Sequence, residues 1–522
     1  MAVTPHALQD EVERLRSQLS ARDTTVTQQR AALAERDHQL ENSAAKIEHL
    51  QSLLYQALHR EFGASTEKVS AQQARLFDEL DAADDLPSNE SPEPIQVDGH
   101  ERKKRGRPRL SADLPRVEVI HDLTDAEKVC SEHGCELTPI GEVTSEELEF
   151  QPATLHVLKH IRKKYACPCC EGHLVTAAKP PSLIPKSIAT AGLLSWIVVS
   201  KFQDALPLYR QNLIFKRLGV ELDRTTLANW MMACGERVQP LVNLLWDRLR
   251  EAPVIHMDET PVQVLNEPGK PPQSKSYMWV STAGPPDSGV VIFHYDKGRS
   301  GQVPKDLLGE YRGTLMADGY EGYNGVCAIN DLTRLGCWAH ARRKFVAAQR
   351  QQPKGKTGAA DQALAWIGKL YLIERAAKDK TDDERYRARQ AKAVPILNQL
   401  HRWLEKTQPR TAPKTALGKA LSYLANQWPY LERYVESANY PIDNNRAENA
   451  IRPFVIGRKN YLFSQSIRGV RANANLYTLI ETAKAHGLDP HKYLLDVFTR
   501  LPMADSVEAF EALLPQRVKA AD

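Results

Sequence analysis

The sequence predicts a multidomain α+β protein in which small amino-terminal modules precede an α/β core that is interrupted by a helical insertion. Two observations support this prediction. Apolar residues recur every seven positions near the amino terminus, and strand-like and helix-like patterns alternate after residue 253. The chain has 522 residues, 42% of them hydrophobic, which is enough for about two or three cores of ordinary size.

Overall charge indicates little about partners, because 69 basic and 65 acidic residues leave a net charge of only +4. No stretch of about 18 uncharged apolar residues occurs, so a membrane-spanning helix is not expected. The first ten residues lack the basic and apolar regions of a signal peptide. We therefore expect a cytoplasmic protein.

A heptad repeat predicts a coiled-coil or zipper helix over residues 1–62. The repeat consists of Val12, Leu19, Val26, Leu33, Leu40, Ile47 and Leu54. No Pro or Gly interrupts it before Gly63, and such a seam is buried by pairing with another helix. The alternative is a single amphipathic helix that packs on its own chain.

Residues 63–116 are predicted to form a disordered linker, since Pro, Ser, Asp and Glu dominate much of it. It contains a basic Arg-Gly-Arg-Pro stretch with Arg105 and Arg107. An extended strand of this kind is narrow enough to enter the minor groove of DNA. The alternative is a basic linker that contacts phosphates without preference.

Two cysteine clusters predict a zinc-binding module over residues 117–180. Cys167 and Cys170 have the two-residue gap of a loop that presents two thiolates to zinc. Cys130 and Cys135 are the expected second pair, with His133 as the alternative to Cys135. Four protein ligands would make this one Zn²⁺ structural. The other reading is a chance grouping of thiols.

Residues 181–250 read as a helix-turn-helix DNA-binding domain. Gly219 supplies the break, and Asp223 is placed to cap the second helix. Leu227 and Trp230 should point inward. The side chains expected to face DNA are Arg224, Thr225, Thr226 and Asn229. The alternative is an ordinary helical hairpin.

The first part of the predicted catalytic core covers residues 251–345. Residues 254–257 form an apolar strand that leads into Asp258, and two further strands cover residues 277–282 and 290–295. A helix over residues 302–311 precedes a fourth strand that ends at Asp318. This is the element order of an RNase H-like fold, in which the first and fourth strands are neighbours.

Residues 346–440 are predicted to be a helical insertion, and residues 441–522 the second part of the core with carboxy-terminal helices. Asp443 or Asn444 can cap a helix that puts Glu448 inside its second turn. The basic residues that we expect to contact DNA here are Arg446, Arg452, Arg458 and Lys459.

Asp258, Asp318 and Glu448 are the candidate catalytic and metal-binding residues. Phosphoryl transfer on DNA requires deprotonation of a nucleophile and neutralisation of charge on the phosphate. Two hard cations about 4 Å apart do both and need carboxylate ligands. We expect two Mg²⁺ ions, for which Mn²⁺ could substitute. Glu259 should point to the opposite face of the strand.

Four sequence motifs resemble those of the IS66 family of bacterial insertion-sequence transposases of the DDE type. They are His256-Met257-Asp258-Glu259-Thr260, Ala317-Asp318-Gly319-Tyr320, residues 336–345 and residues 444–449. The resemblance covers nearly the whole chain. It implies metal-dependent cleavage and strand transfer of double-stranded DNA at terminal inverted repeats, assisted by accessory proteins of the same element. We also expect nucleoid association, and the heptad repeat predicts a homo-oligomer such as a dimer.

Cys337 and His340 form a second Cys-x-x-His spacing that suits zinc. The motif resembles an element near the active site of other transposases that carry a helical insertion. His340 could instead position DNA or a hydroxyl nucleophile, or both residues could simply pack at a strand-to-helix junction.

Two other functions are compatible with parts of the sequence. The zipper, zinc module and helix-turn-helix could form a non-catalytic DNA-binding regulator, which would not need Asp258, Asp318 and Glu448. A nuclease or Holliday-junction resolvase could share the core. The helical insertion and the separate DNA-binding modules favour a transposase.

Overall fold

The computed structural model describes residues 22–24, 28–29, 35–36, 155–166, 174–285, 287–352 and 357–518. From His160 onward these residues belong to one compact unit. Among them, no helix combines the length and apolar character needed to cross a membrane. The predicted coiled coil lies almost entirely outside these residues, and the predicted basic linker wholly outside.

The first described elements are a short antiparallel pair and a helical bundle. Strands β1 (Lys164–Ala166) and β2 (Leu174–Thr176) pair with Tyr165 opposite Val175. The bundle helices are α1 (Ala191–Phe202), α2 (Leu208–Arg217), α3 (Arg224–Arg237) and α4 (Gln239–Arg250). The predicted pair of helices around a turn is confirmed, with Gly219 at a positive φ of 84° between α2 and α3.

A mixed sheet forms the centre of the unit. Its strands are β3 (Val254–Asn266), β4 (Lys275–Ala283), β5 (Val290–Asp296), β6 (Thr314–Met316) and β7 (Thr333–Leu335). The spatial order is β5-β4-β3-β6-β7. The pairs among β3, β4 and β5 are antiparallel, whereas β3, β6 and β7 run parallel. The four predicted strands are confirmed, although β3 continues to Asn266.

Two short helices link β5 to β6 and β6 to β7. They are α5 (Gln302–Leu308) and α6 (Asn324–Asn330). The predicted helix over residues 302–311 is confirmed but ends three residues earlier. Tyr311 instead turns back to the sheet, where its hydroxyl donates to the carbonyl of Ala252 at 3.0 Å.

A helical layer follows β7 and has a hydrophobic core of its own. Its helices are α7 (Trp338–Gln349), α8 (Ala359–Ala376), α9 (Asp382–Ala388), α10 (Val394–Thr407) and α11 (Ala416–Leu431). Trp338 and Phe345 of α7 are fully buried in this second core. The Trp338 ring nitrogen donates to the carbonyl of Leu431 at 2.9 Å, so α7 joins the inserted helices to the sheet.

The last helices return to the sheet. They are α12 (Asn445–Tyr461), α13 (Ile467–Ala485), α14 (Pro490–Arg500) and α15 (Val507–Glu511), with strand β8 (Ser464–Ser466) beside the far end of β3. Helix α13 protects the edge strand β5. Its Thr478 hydroxyl accepts from the amide of Phe293 at 2.9 Å, and its Thr482 hydroxyl accepts from Val291 at 3.2 Å.

Candidate active site

The parallel pairing of β3 and β6 brings Asp258 and Asp318 to the same level of the sheet. His256 of β3 lies opposite Met316 of β6, and each aspartate comes two residues later. The Asp258 carboxylate accepts from the amide of Glu259, and that of Asp318 accepts from the amide of Tyr320, both at 2.9 Å. Asp318 thus follows the end of β6, and Asp258 lies in β3 just beyond the segment that pairs with β6.

Glu448 reaches the same place from helix α12, which packs on β3. It is the fourth residue of the helix and so lies in the first turn, not in the second as predicted. Asn444 occupies the cap position, but its side chain does not cap the helix. Asp443 performs that role, since its carboxylate accepts from the amide of Asn445 at 3.1 Å.

Asp258 lies within electrostatic range of the other two carboxylates. Its pKa is raised well above the ordinary value, first by burial and then by the charges of Glu259, Glu448 and Asp318. Burial also raises the pKa of Glu448, an effect that the guanidinium of Arg343 opposes. We call Asp258, Asp318 and Glu448 the carboxylate trio. Hard oxygen ligands with excess negative charge fit divalent cations such as Mg²⁺.

Asn444 links the helix that carries Glu448 to the strand that carries Asp258 and to the start of α7. Its side-chain amide donates to the carbonyl of Met257 at 2.8 Å, and its side-chain oxygen is 3.1 Å from Nδ1 of His256. Its backbone amide donates to Sγ of Cys337 at 3.2 Å, and its carbonyl accepts from the amide of Glu448. Asn444 is completely buried. It therefore fixes the start of α12 against β3 and against the start of α7.

The inserted helices also contact the start of α12. The hydroxyl of Tyr371, in α8, donates to the Asp443 carboxylate at 2.8 Å. On the other side of the site, Tyr423 of α11 lies close to Gly319, where an added Cβ would approach its ring to 2.9 Å. The insertion thus supports both the strand end that carries Asp318 and the helix that carries Glu448.

Cys337, His340 and Arg343 border Glu448. Ligand atoms of Cys337, His340 and Glu448 all lie within 4.8 Å of one another. His340 Nδ1 is 3.4 Å from Glu448 Oε1, and the Arg343 guanidinium forms an ion pair with the same oxygen. The pKa of His340 is lowered to about 4 by burial and by Arg343, so its ring is neutral near pH 7. Cys337 itself is a buried free thiol.

Glu259 forms a second ion pair, which the sequence did not reveal. Nε of Arg299 donates to Glu259 Oε1 at 2.6 Å, and the hydroxyl of Tyr323 donates to Oε2 at 2.6 Å. The Arg299 guanidinium lies over the ring of Tyr320, 3.9 Å from its centroid. Glu259 therefore has different partners from Asp258. Both of its carboxylate oxygens accept hydrogen bonds from side chains of the fold.

Two arginines that we predicted to contact DNA are bonded within the protein. The Arg446 guanidinium donates to the carbonyls of Ala283, Gly284 and Pro285, and so holds the turn after β4. Arg458 donates to the Thr260 hydroxyl at 3.0 Å and to a neighbouring carbonyl. Burial lowers the pKa of both arginines. We no longer assign Arg446 to a DNA surface, since three carbonyls use its donors.

The other two basic residues of α12 differ in exposure. Lys459 is exposed, whereas Arg452 is half-buried and has a partner in the fold. Of the residues that could face DNA from this helix, Lys459 is therefore the most accessible to a phosphate.

The predicted recognition helix shows the expected division of faces. Leu227 and Trp230 of α3 are buried, as predicted. Arg224, Thr225 and Asn229 are exposed, and Thr226 is half-buried. The second half of α3 packs closely on α13, because an added Cβ at Gly235 would meet Ala472 at 2.5 Å. The four residues predicted to face DNA all lie in the amino-terminal half of α3.

The remaining predicted site residues lie outside the described part of the chain. They are the zinc ligands Cys130, Cys135, Cys167 and Cys170, the alternative ligand His133, and Arg105 and Arg107 of the basic stretch.

Family models match four segments of the chain. Residues 186–472, more than half of the chain, match the Transposase IS66 family. The chain belongs to this family. Residues 478–516 match the IS66 C-terminal element, and residues 127–171 match the zinc-finger binding domain of transposase IS66. Residues 49–119 match a model described as Transposase C of IS166 homeodomain, which spans the end of the predicted zipper and the predicted linker.

Two relatives from Sinorhizobium fredii are similar over most of their length. The uncharacterized protein y4jD is 32% identical over 449 residues, which are 81% of this chain and 86% of the relative. The uncharacterized protein y4qI is 33% identical over 436 residues, which are 81% of this chain and 79% of the relative. The prediction of the IS66 transposase family is confirmed by the family models.

Proposed function

We propose that this transposase cleaves double-stranded DNA at terminal inverted repeats and joins the ends to target DNA, using the carboxylate trio as its catalytic centre. The observation that carries the proposal is the parallel pairing that puts Asp258 and Asp318 on neighbouring strands, together with the packing on β3 of the helix that carries Glu448. The strand order β5-β4-β3-β6-β7 supports an RNase H-like core, since β3 and β6 are its adjacent first and fourth strands.

The trio would hold two divalent ions, with Mg²⁺ as the expected metal and Mn²⁺ as a substitute. When bound, such ions lower the pKa of an attacking oxygen and neutralise charge on the phosphate. Asp258 lies within the long strand β3, where it pairs with Val280 of β4, so its backbone is fixed next to the end of β6. Asn444 orients the helix that presents Glu448.

Neutral His340 supplies a different function beside the trio. With a pKa of about 4, its ring can accept a hydrogen bond at neutral pH. It could therefore orient a hydroxyl nucleophile or a DNA group next to Glu448. This role does not require Cys337 and His340 to bind zinc.

DNA would be bound by surfaces outside the trio. The exposed residues of α3, namely Arg224, Thr225 and Asn229, suit a helix that enters the major groove. Arg105 and Arg107 would enter the minor groove. One structural Zn²⁺ on Cys130, Cys135 or His133, Cys167 and Cys170 would order the finger segment that the family model matches. The zipper would join two copies of the chain, and accessory proteins of the element could assist.

The decisive experiment uses the DNA that flanks the gene. Inverted repeats found there would be placed at the ends of a linear duplex and incubated with the full chain and Mg²⁺. A transposase cleaves at the repeat ends and then joins them to a second duplex. Cleavage without joining would indicate a nuclease or resolvase, and binding without cleavage a regulator. Either result would overturn the proposal.

A further inference from the structure

Arg343 is a charged residue at the trio to which the proposed chemistry assigns no role. It lies on α7, and its Nη2 is 3.3 Å and 3.4 Å from the two ring nitrogens of His340. The same nitrogen forms the ion pair with Oε1 of Glu448. Its side chain is 47% exposed, so the guanidinium can be reached from solvent. Its charge also interacts with that of Asp258.

An alternative is that Cys337, His340 and Glu448 bind a metal ion of their own, in addition to the two ions proposed for the trio. Two contacts argue against it. The Arg343 guanidinium already lies against both His340 and Glu448, so it provides the positive charge that a metal ion would bring. Sγ of Cys337 accepts the backbone N–H of Asn444 at 3.2 Å, and burial raises the pKa of this thiol. A neutral thiol that orders the backbone is a poor metal ligand.

We propose that Arg343 is an internal counter-ion that holds Glu448 in the metal-free protein and passes to a DNA phosphate when Glu448 binds metal. The inference rests on the proposed function, because it takes Glu448 as a metal ligand. Both contacts of Glu448, to His340 and to Arg343, go to Oε1. A divalent ion on Glu448 would repel the adjacent guanidinium. The guanidinium of Arg343 would then have lost its anionic partner. A DNA phosphate has oxygens whose spacing matches the two parallel N–H groups of a guanidinium.

The first test measures Mn²⁺ binding to the DNA-free full-length protein by electron paramagnetic resonance of the free ion. Removing one positive charge near a divalent ion at a solvated site should strengthen binding roughly tenfold. Arg343→Ala and the neutral Arg343→Gln should both show this gain, whereas Arg343→Lys should resemble the parent. Arg350→Ala is the matched control, since it removes the same charge from an exposed site at the end of α7, about 10 Å from Arg343.

The second test measures single-turnover cleavage of repeat-end DNA at saturating Mn²⁺. Arg343→Ala and Arg343→Gln should cleave roughly 10- to 100-fold more slowly in spite of tighter metal binding, because the phosphate loses a charged contact. Arg343→Lys should recover part of this loss. Arg350→Ala should cleave at the parent rate.

The two readouts separate failure of the inference from failure of the proposed function. If the parent does not cleave DNA, the proposed function fails. The Mn²⁺ titration still tests whether Arg343 competes with a metal ion for Glu448. If the parent cleaves but both neutral variants bind Mn²⁺ no more tightly than the parent, Arg343 is not a competing counter-ion. Tighter Mn²⁺ binding with parent-like cleavage would overturn the transfer of Arg343 to phosphate.

Discussion

Two arginine–carboxylate pairs border the carboxylate trio, and they are built differently. In the first pair, Arg299 bonds to Oε1 of Glu259 through two of its nitrogens, and Tyr323 occupies Oε2. The Glu259 side chain is only 1% exposed. In the second pair, one nitrogen of Arg343 contacts Glu448, whose side chain is 18% exposed.

The difference shows how the same two residue types serve either the fold or the chemistry. A carboxylate whose two oxygens both receive donors in a buried site is costly to disturb, since its partners would be left unpaired. A carboxylate held through one oxygen near solvent can exchange its partner for another cation. Glu259 is of the first kind and Glu448 of the second, although the charge of Asp318 contributes to raising the pKa of both.

The largest expected effect separates the two glutamates by activity. Glu448→Gln, like Asp258→Asn and Asp318→Asn, should lower the rate of DNA cleavage about a thousandfold or more, because an amide lacks the charge that holds the metal. Single-turnover cleavage of repeat-end DNA measures this, and filter binding should show that end binding is retained.

Glu259→Gln is the matched control for this comparison, with the rate normalised to the folded fraction. Its rate per folded molecule should remain within about tenfold of the parent, since its loss does not remove a proposed metal ligand. Our assignment of the trio would be wrong if Glu259→Gln were the inactive variant and Glu448→Gln cleaved normally.

The next largest effect separates the same variants by stability. Glu259→Gln should lower the free energy of unfolding by about 1–3 kcal/mol, because it weakens two buried bonds to charged or hydroxyl donors. Glu448→Gln should change it by less than about 0.5 kcal/mol, as is usual for a partly exposed pair. Urea unfolding without metal measures both values. If Glu448→Gln lowered the free energy of unfolding as much as Glu259→Gln, the distinction between the two pairs would be wrong.

The smallest effect concerns the second partner in each pair. Tyr323→Phe should lower the free energy of unfolding by about 1 kcal/mol, because Glu259 loses its hydroxyl donor within a buried site. Its cleavage rate should stay near that of the parent. His340→Gln should leave the stability within about 0.5 kcal/mol. Urea unfolding measures both values. Equal losses of unfolding free energy for the two variants would contradict the view that only the Glu259 pair is buried and fully hydrogen-bonded.

The sequence predicted the elements with strong local patterns. The runs that lead to Asp258 and Asp318 are apolar and β-branched, so their strands and the helix between them could be placed in advance. Strands β7 and β8 were missed because Thr333–Leu335 has a charged residue at its centre and Ser464–Ser466 is wholly polar, so neither shows an apolar pattern. The family motifs pointed to the trio, whose convergence depends on the parallel pairing of β3 and β6.

Roles that depend on tertiary contacts could not be predicted in this way. Arg446 follows Asn444 and Asn445 in a polar, basic segment, which suggested a DNA contact, yet it bonds to the turn after β4. Asn444 read as a helix cap, but its side chain reaches across to β3. Charge and propensity describe a residue's own segment, whereas these partners lie more than 150 residues away.

The most direct test of the carboxylate trio is the metal dependence of Asp258→Cys. A thiolate is a soft ligand that binds Mg²⁺ poorly and accepts Mn²⁺ better. Single-turnover cleavage of repeat-end DNA would be measured with each ion, and Glu259→Cys would serve as the control. We predict that Asp258→Cys is inactive with Mg²⁺ and regains cleavage with Mn²⁺, whereas the control shows no such switch. Cleavage by Asp258→Cys with Mg²⁺ at near the parent rate would contradict the assignment of Asp258 as a metal ligand.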